Sequence, residues 1–427
     1  MSLPESAPSA DASSSFAALA RGVSTLSAAE AVRVAISAAL AVYLARRLGV
    51  AAFGLWTFAL AVTGYPLALV EAGLTWIGTR DVAAHPDAAR PLVRRIVPLR
   101  LALALAGAIV VVVCAFTLTG PGDGRLVVIL AGGSLVTMAL TIDWVFYGLE
   151  RRSIVAAVNV LRVAVFAAAS FAVVRGASQV RIVPLLQASG EAAAAAVLWI
   201  AFARTASRHG SPRGPRDDVP GGRMMDLVRQ AAPLTLGQFM RALTLWSAVT
   251  ILGLRTDTAT VGQFGAAQRL TLLAGGFSTL YFYGYVPLAS RAAMNGSAAI
   301  ADLLRRSLRF TALATLAFAI LATLLAGPIV QIAFGPAYAG AAPVLRILAW
   351  TIPISVLGGH FRHTLISLKE TRLDLIAVAA GAVTTVLLNI VLTARFGLAG
   401  GAIAMVLGET VLTAAAMAIV ARRVDFH

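Results

Sequence analysis

The sequence predicts an all-α integral membrane protein of about twelve transmembrane helices, arranged as two parallel six-helix lobes around a central cavity. Three observations predict it. Hydrophobic residues make up 59% of the chain and charged residues 13%, against about 25% charged in a soluble domain. The apolar residues gather into runs of about 20, the length a helix needs to cross the hydrocarbon core. Short motifs also recur between the two halves of the chain at nearly constant offsets.

Taken in order, residues 1–20 are rich in Ser, Ala and Pro and read as a disordered cytoplasmic tail. They lack the basic start of a signal peptide, so the first apolar run reads as a retained helix. The first six runs lie near 28–45, 55–77, 97–119, 125–148, 154–174 and 183–203. The second six lie near 231–253, 262–288, 309–332, 343–366, 373–393 and 399–420. A membrane barrel would show alternation over strands of about 10 residues, and these runs are too long and continuous for that. Residues 204–230 carry six arginines among three prolines and read as a basic cytoplasmic linker. The domain reading is therefore an N-terminal lobe over 21–203, the linker, a C-terminal lobe over 231–422 and a short tail over 423–427.

Basic residues near helix ends fix orientation. Arg21, then Arg80, Arg90, Arg94, Arg95 and Arg100, then Arg151 and Arg152, crowd one side with the linker arginines, Arg291, Arg305, Arg306, Arg309, Lys369, Arg372, Arg422 and Arg423. The other side has Arg46, Arg47, Arg125, Arg175, Arg181, Arg255 and Arg395. Both termini and the linker are expected in the cytoplasm. The net charge of +16 is thus read as membrane orientation, not as a nucleic-acid surface. The one cysteine, Cys114, excludes an intrachain disulfide and any cysteine-based metal site. No metal site is expected, and His360 and His363 read as polar packing.

The repeat carries more information than composition. Glu30-Ala31-Val32-Arg33 and Gln238-Phe239-Met240-Arg241 superpose at an offset of 208, as do Phe53-Gly54 and Val261-Gly262. Gly190-Glu191 and Gly408-Glu409 superpose at 218, and Gly148-Leu149-Glu150 and Ser367-Leu368-Lys369 at 219. An even number of helices per half gives both halves the same sense in the membrane, with a pseudo-two-fold axis along its normal.

Several stretches resemble the polysaccharide flippases of the multidrug/oligosaccharidyl-lipid/polysaccharide exporter superfamily, relatives of MATE transporters. They are Leu44-Ala45-Arg46-Arg47-Leu48-Gly49 with Phe53-Gly54, Glu71-Ala72-Gly73-Leu74 with Thr79-Arg80, and Asp143 to Glu150. Phe334-Gly335-Pro336-Ala337-Tyr338 with Pro343 to Leu348, and Leu388-Asn389 with Gly397, Gly400, Gly401 and Ala402, complete the set. The resemblance implies a MATE-like fold in a bacterial cytoplasmic membrane. It further implies flipping of a polyprenyl-diphosphate-linked oligosaccharide to the outer leaflet, beside a polysaccharide polymerase machinery.

An ionisable group inside the bilayer is costly and is kept where it meets a wet cavity, a partner or a substrate. Arg33 and Arg241 hold equivalent places, and with Arg269 they are the expected contacts of a diphosphate, because a guanidinium fork matches phosphate oxygens and stays charged. The alternative for Arg33 is an i,i+3 pair with Glu30. Arg162 is expected to pair with Asp143 or Glu191, while Arg346 and Arg362 are expected to snorkel to an interface. Glu71 and Asp143 read as partners of Arg80, Arg151 or Arg152. Glu30, Glu191 and Glu409 are the candidates for coupling to a proton or a sodium ion. No cofactor is expected, and no nucleophile constellation or phosphate loop supports an enzyme. A MATE-like ion-coupled exporter of small molecules is the alternative function.

Overall fold

The computed structural model describes residues 10–208, 224–294, 296–368 and 370–423. These are almost wholly helical: α1 (Ala10–Ala84), α2 (Ala89–Leu118), α3 (Asp123–Ala139), α4 (Asp143–Gly148), α5 (Arg152–Val173) and α6 (Val183–Arg208) form the first half. The second half has α7 (Met224–Arg255), α8 (Thr258–Met294), α9 (Ser297–Leu324), α10 (Ala326–Phe334), α11 (Ala341–Leu348), α12 (Thr351–Ser367) and α13 (Thr371–Ala421). α1 starts at Ala10, inside the stretch read from sequence as a tail, where alanines favour helix. Residues 1–9, 209–223 and 424–427, parts of the expected tails and linker, lie outside the described residues.

Two helices are too long for one crossing. The apolar stretch Ala28–Ala84 has 57 residues, which at 1.5 Å each would extend about 85 Å against a core of about 30 Å. It breaks at Gly49, with φ 74° and ψ 171°, a conformation that a Cβ would oppose. α13 breaks likewise at Gly397, with φ 53°. Counting each as two crossings, and joining α3 to α4, α9 to α10 and α11 to α12, gives twelve among the described residues. Among the described residues, eight stretches are both long and apolar enough to span a membrane. α7 and α8 are long enough but are not among them, and they carry Gln238, Arg241, Gln268 and Arg269.

The break between α3 and α4 is closed by one side chain. Arg100 is 1% exposed, and its Nη1 and Nη2 donate to the carbonyl oxygens of Thr141 (2.6 Å) and Met138 (3.1 Å). Carbonyls at a helix C-terminus lack intrahelical partners and attract a cation. Sequence reasoning placed Arg100 among the interfacial arginines, and the structure corrects this: the broken helix holds it inside.

The repeat is visible in the backbone. α4 and α12 end on the same hydrogen bond between residues five apart, Arg151 N to Phe146 O (2.8 Å) and Glu370 N to Leu365 O (2.9 Å), the 6→1 closure of a Schellman motif. Gly190 abuts the backbone of Arg162 on α5, and Gly408 abuts Thr385 and Gly381 within α13. Each glycine lets the last crossing of its half lie close against the one before it.

The halves meet along α1, α7 and α8. At the end carrying Gly49, Gly54 lies against Thr258 and Gly262 against Val50. Tyr338 Oη donates to Ala45 O (2.8 Å) and Arg46 donates to Ile332 O and Ala333 O, while within the second half Gln263 Nε2 donates to Ala337 O (2.9 Å). At the end carrying residues 28 and 421, Gly73 packs on Ala231, and Arg80 Nη2 donates to Gln230 Oε1 (3.0 Å).

The outer surface is apolar. Ile109, Phe310, Leu313 and Ile332 are each more than 60% exposed, on faces turned away from both halves' cores. So much exposed hydrocarbon is stable in lipid and not in water.

Candidate functional site

Between the two inter-half contacts lies a cavity of about 900 Å³. Both halves wall it: α1, α3, α5 and α6 from the first, α7, α8, α11, α12 and α13 from the second. Arg33, Arg162, Arg241, Arg269 and Arg362 line it, with Glu71, Glu191 and Glu409.

Four of the five guanidiniums are held by carboxylates. Arg33 binds Glu30 one turn earlier, Nε to Oε2 at 2.7 Å and Nη2 to Oε1 at 2.5 Å, so the i,i+3 pair and the cavity position coexist. Arg162 Nε stands 2.8 Å from Glu191 Oε2, one of its two expected partners. Arg241 Nη1 lies 3.6 Å from Glu409 Oε1, which also accepts from Ser355 Oγ at 2.7 Å. Arg362 grips Asp374 with two parallel bonds of 2.8 and 3.1 Å. Arg362 was expected to snorkel; instead it points inward, because Asp374 at the start of α13 neutralises it there.

Arg269 differs from these. Among the described residues no carboxylate lies within 4.0 Å of it. Its guanidinium carbon sits 4.9 Å from the ring centroid of Trp56, a residue of the other half.

The structure thus brings Arg33, Arg241 and Arg269 to one cavity. Of the three acids singled out from sequence, Glu191 and Glu409 line it, and Glu30 supports Arg33 from beside it. The equivalent acids Glu191 and Glu409 pair with non-equivalent arginines, so the site is less symmetric than the sequence repeat. Glu71 corrects another expectation. It faces the cavity, within Coulomb reach of Arg100, Asp143 and Arg162, while Arg80 pairs with Asp81 at 2.8 Å. Among the described residues Glu71 is the lining carboxylate without an ion pair.

The two histidines pack as polar core. His360 Nδ1 faces Val356 O at 2.8 Å and therefore donates, which leaves Nε2 to accept from Tyr281 Oη at 2.9 Å. His363 lies on the cavity wall against Phe282, with ring centroids 4.6 Å apart. Sequence reasoning missed Trp56 and Arg362 as lining residues. For Trp56 the signal was its place one turn after Phe53-Gly54. For Arg362 no local signal existed.

The polysaccharide biosynthesis protein family matches residues 19–293. No curated protein matches the sequence. Among solved structures, the lipid II flippase MurJ in an inward closed conformation is similar, with a TM-score of 0.70 at 13% identity, over 92% of this chain and 87% of that one. An inward-facing multidrug resistance MATE family transporter of the MOP superfamily has a TM-score of 0.63 at 15% identity, covering 92% and 98%. The MATE transporter VcmN of Vibrio cholerae has a TM-score of 0.62 at 14% identity, covering 96% and 98%. At such identities the likeness is one of fold.

Proposed function

The chain belongs to the polysaccharide biosynthesis protein family, and from that premise we propose that it flips a polyprenyl-diphosphate-linked oligosaccharide across the bacterial cytoplasmic membrane. Flipping runs from the cytoplasmic to the outer leaflet by alternating access, with both termini and the linker in the cytoplasm. The observation that carries this reading is the convergence of arginines from both halves on one intramembrane cavity, with Arg269 in no ion pair among the described residues. A diphosphate headgroup needs a cationic partner to pass a low-dielectric region, and a guanidinium supplies charge and fork geometry at any working pH.

In this reading Arg269 is the standing phosphate contact. Arg33 and Arg241 exchange part of their carboxylate bonds for phosphate oxygens as cargo enters. The acids keep the guanidiniums extended and inward-facing between cycles, which lowers the cost of an empty cavity. A proton or sodium ion is the proposed coupling ion, and Glu71 joins Glu30, Glu191 and Glu409 as a candidate carrier. Polymerase machinery on the outer face would consume the flipped cargo.

The test is complementation of a flippase-deficient bacterium. Arg33→Ala/Arg241→Ala and Arg269→Ala proteins should insert at normal levels, restore no surface polysaccharide and leave lipid-linked sugar on the cytoplasmic side. Full complementation by both would sink the phosphate role. Drug resistance on overexpression that depends on Glu30 or Glu71 would favour the exporter alternative.

A further inference from the structure

Trp56 presents its ring to Arg269 without offering its polar atom to anything. The side chain is 4% exposed, and its edges meet Phe53 and Phe166 at 5.6 and 6.4 Å between centroids. Its indole N–H is buried and has no hydrogen-bond partner among the described residues. A buried tryptophan ordinarily satisfies that donor, and a phenylalanine would pack without leaving it unsatisfied. What the indole adds is the strongest π-face among side chains for holding a cation.

The two ways of holding a guanidinium here differ in what they leave over. A carboxylate occupies the in-plane N–H donors, as Asp374 does with two bonds to Arg362. A π-face attracts the charge and takes up none of those donors. Arg269 is therefore fixed in direction with its in-plane N–H groups unspent, and those are the groups a phosphate engages bidentately.

We propose that Trp56 is a positioning residue for cargo: across the boundary between the halves it holds Arg269 with its donors free for the diphosphate. The platform and the arginine come from different halves, so the subsite is complete only while the Gly49 end is closed. Thr57 and Gly265, beside Trp56 and Arg269, belong to that closed contact. When it opens, Arg269 loses its platform and its hold on phosphate weakens. Diphosphate is thus bound tightly in the loading arrangement and weakly in the releasing one.

This inference rests on the phosphate reading given under Proposed function, and the test separates the two. Purified protein in detergent is titrated with farnesyl diphosphate and with farnesol. Equal affinity of the wild type for both would overturn the phosphate reading itself. If the wild type prefers the diphosphate, Trp56→Leu should weaken its binding about 3- to 30-fold, with farnesol binding unchanged. Trp56→Phe should recover part of the loss and also covers the case in which the leucine variant does not fold. In an Arg269→Ala background the Trp56→Phe or Trp56→Leu change should have little further effect, because the interaction it removes is already gone. A Trp56 effect of equal size in both backgrounds, or an equal loss for farnesol, would overturn the positioning role and leave the phosphate reading standing.

Discussion

Arg100 illustrates how a single charged side chain can hold the scaffold while its neighbours serve the cavity. Its two Nη groups donate to Thr141 O and Met138 O at the break between α3 and α4, where Met138 O accepts also from Thr141 N and Thr141 Oγ1. Replacing Arg100 by Leu would take from Thr141 O its side-chain donor in a protein interior, at about 1–3 kcal/mol for a group left unsatisfied, while Met138 O would keep its bonds from Thr141. Thermal melting in detergent should therefore show Arg100→Leu several degrees less stable than the wild type. Arg269→Ala, which severs no bond to the backbone, should melt near the wild type. Equal melting of the Arg100→Leu variant and the wild type would refute the bracing role. This division was only partly legible in the sequence. An arginine in an apolar run announces that something must compensate it, but not whether that is a carbonyl, a carboxylate, an aromatic face or water. Arg33, Arg241 and Arg269 could be singled out because two of them repeat and the third lies beside Gln268. Arg362 could not, because its partner Asp374 is reached across a chain reversal. Glu71 was misassigned for a similar reason: Arg80 is near in sequence, but Asp81 is nearer to it in space.

At the scale of the element, the helices and their breaks follow from glycine and from length. Hydropathy finds twelve apolar runs because each crossing must bury its backbone polar groups in its own hydrogen bonds. Hydropathy does not show that Gly49 and Gly397 turn the chain with so little interruption, nor that the fourth and tenth crossings are each built from two pieces. Gly190 and Gly408 were visible as a repeated pair, and their role is now physical. A side chain at Gly408 would run into Thr385 and the backbone of Gly381, and one at Gly190 into the backbone of Arg162. Small residues at such contacts let helices approach in membranes, where packing rather than the hydrophobic effect drives association. Gly408→Val should therefore sharply lower the yield of monodisperse protein in size-exclusion chromatography. Gly133→Ala, with nothing within 4 Å of the added carbon, should elute as the wild type does. A normal yield of the Gly408→Val protein would show that the contact between the two crossings of α13 is not needed.

For the whole molecule, alternating access requires that contacts between the halves part at one end while those at the other hold. The Gly49 end is closed by backbone-to-backbone approach and by Arg46 and Tyr338. On the other side of Arg269, towards the end that carries residues 28 and 421, α1 and α8 meet at Val34 and Gly276. A Cβ built on Gly276 would stand 3.9 Å from that of Val34, within the range of about 3.5–4.5 Å that a disulfide spans. Val34 adjoins Arg33, so a cross-link there would pin the wall of the cavity beside one of its cationic residues. If cargo enters by separation of the halves on this side, a Val34→Cys/Gly276→Cys protein, with Cys114 changed to Ala, should transport when reduced and stop when oxidised. Reductant should restore it. The measurement is flipping of a fluorescent lipid-linked diphosphate in proteoliposomes, with the extent of cross-linking read by mass spectrometry. Undiminished flipping by fully oxidised protein would mean that α1 and α8 move as one body here. Entry would then have to lie between α7 and the second crossing of α1, where Gly73 packs on Ala231 and Arg80 donates to Gln230.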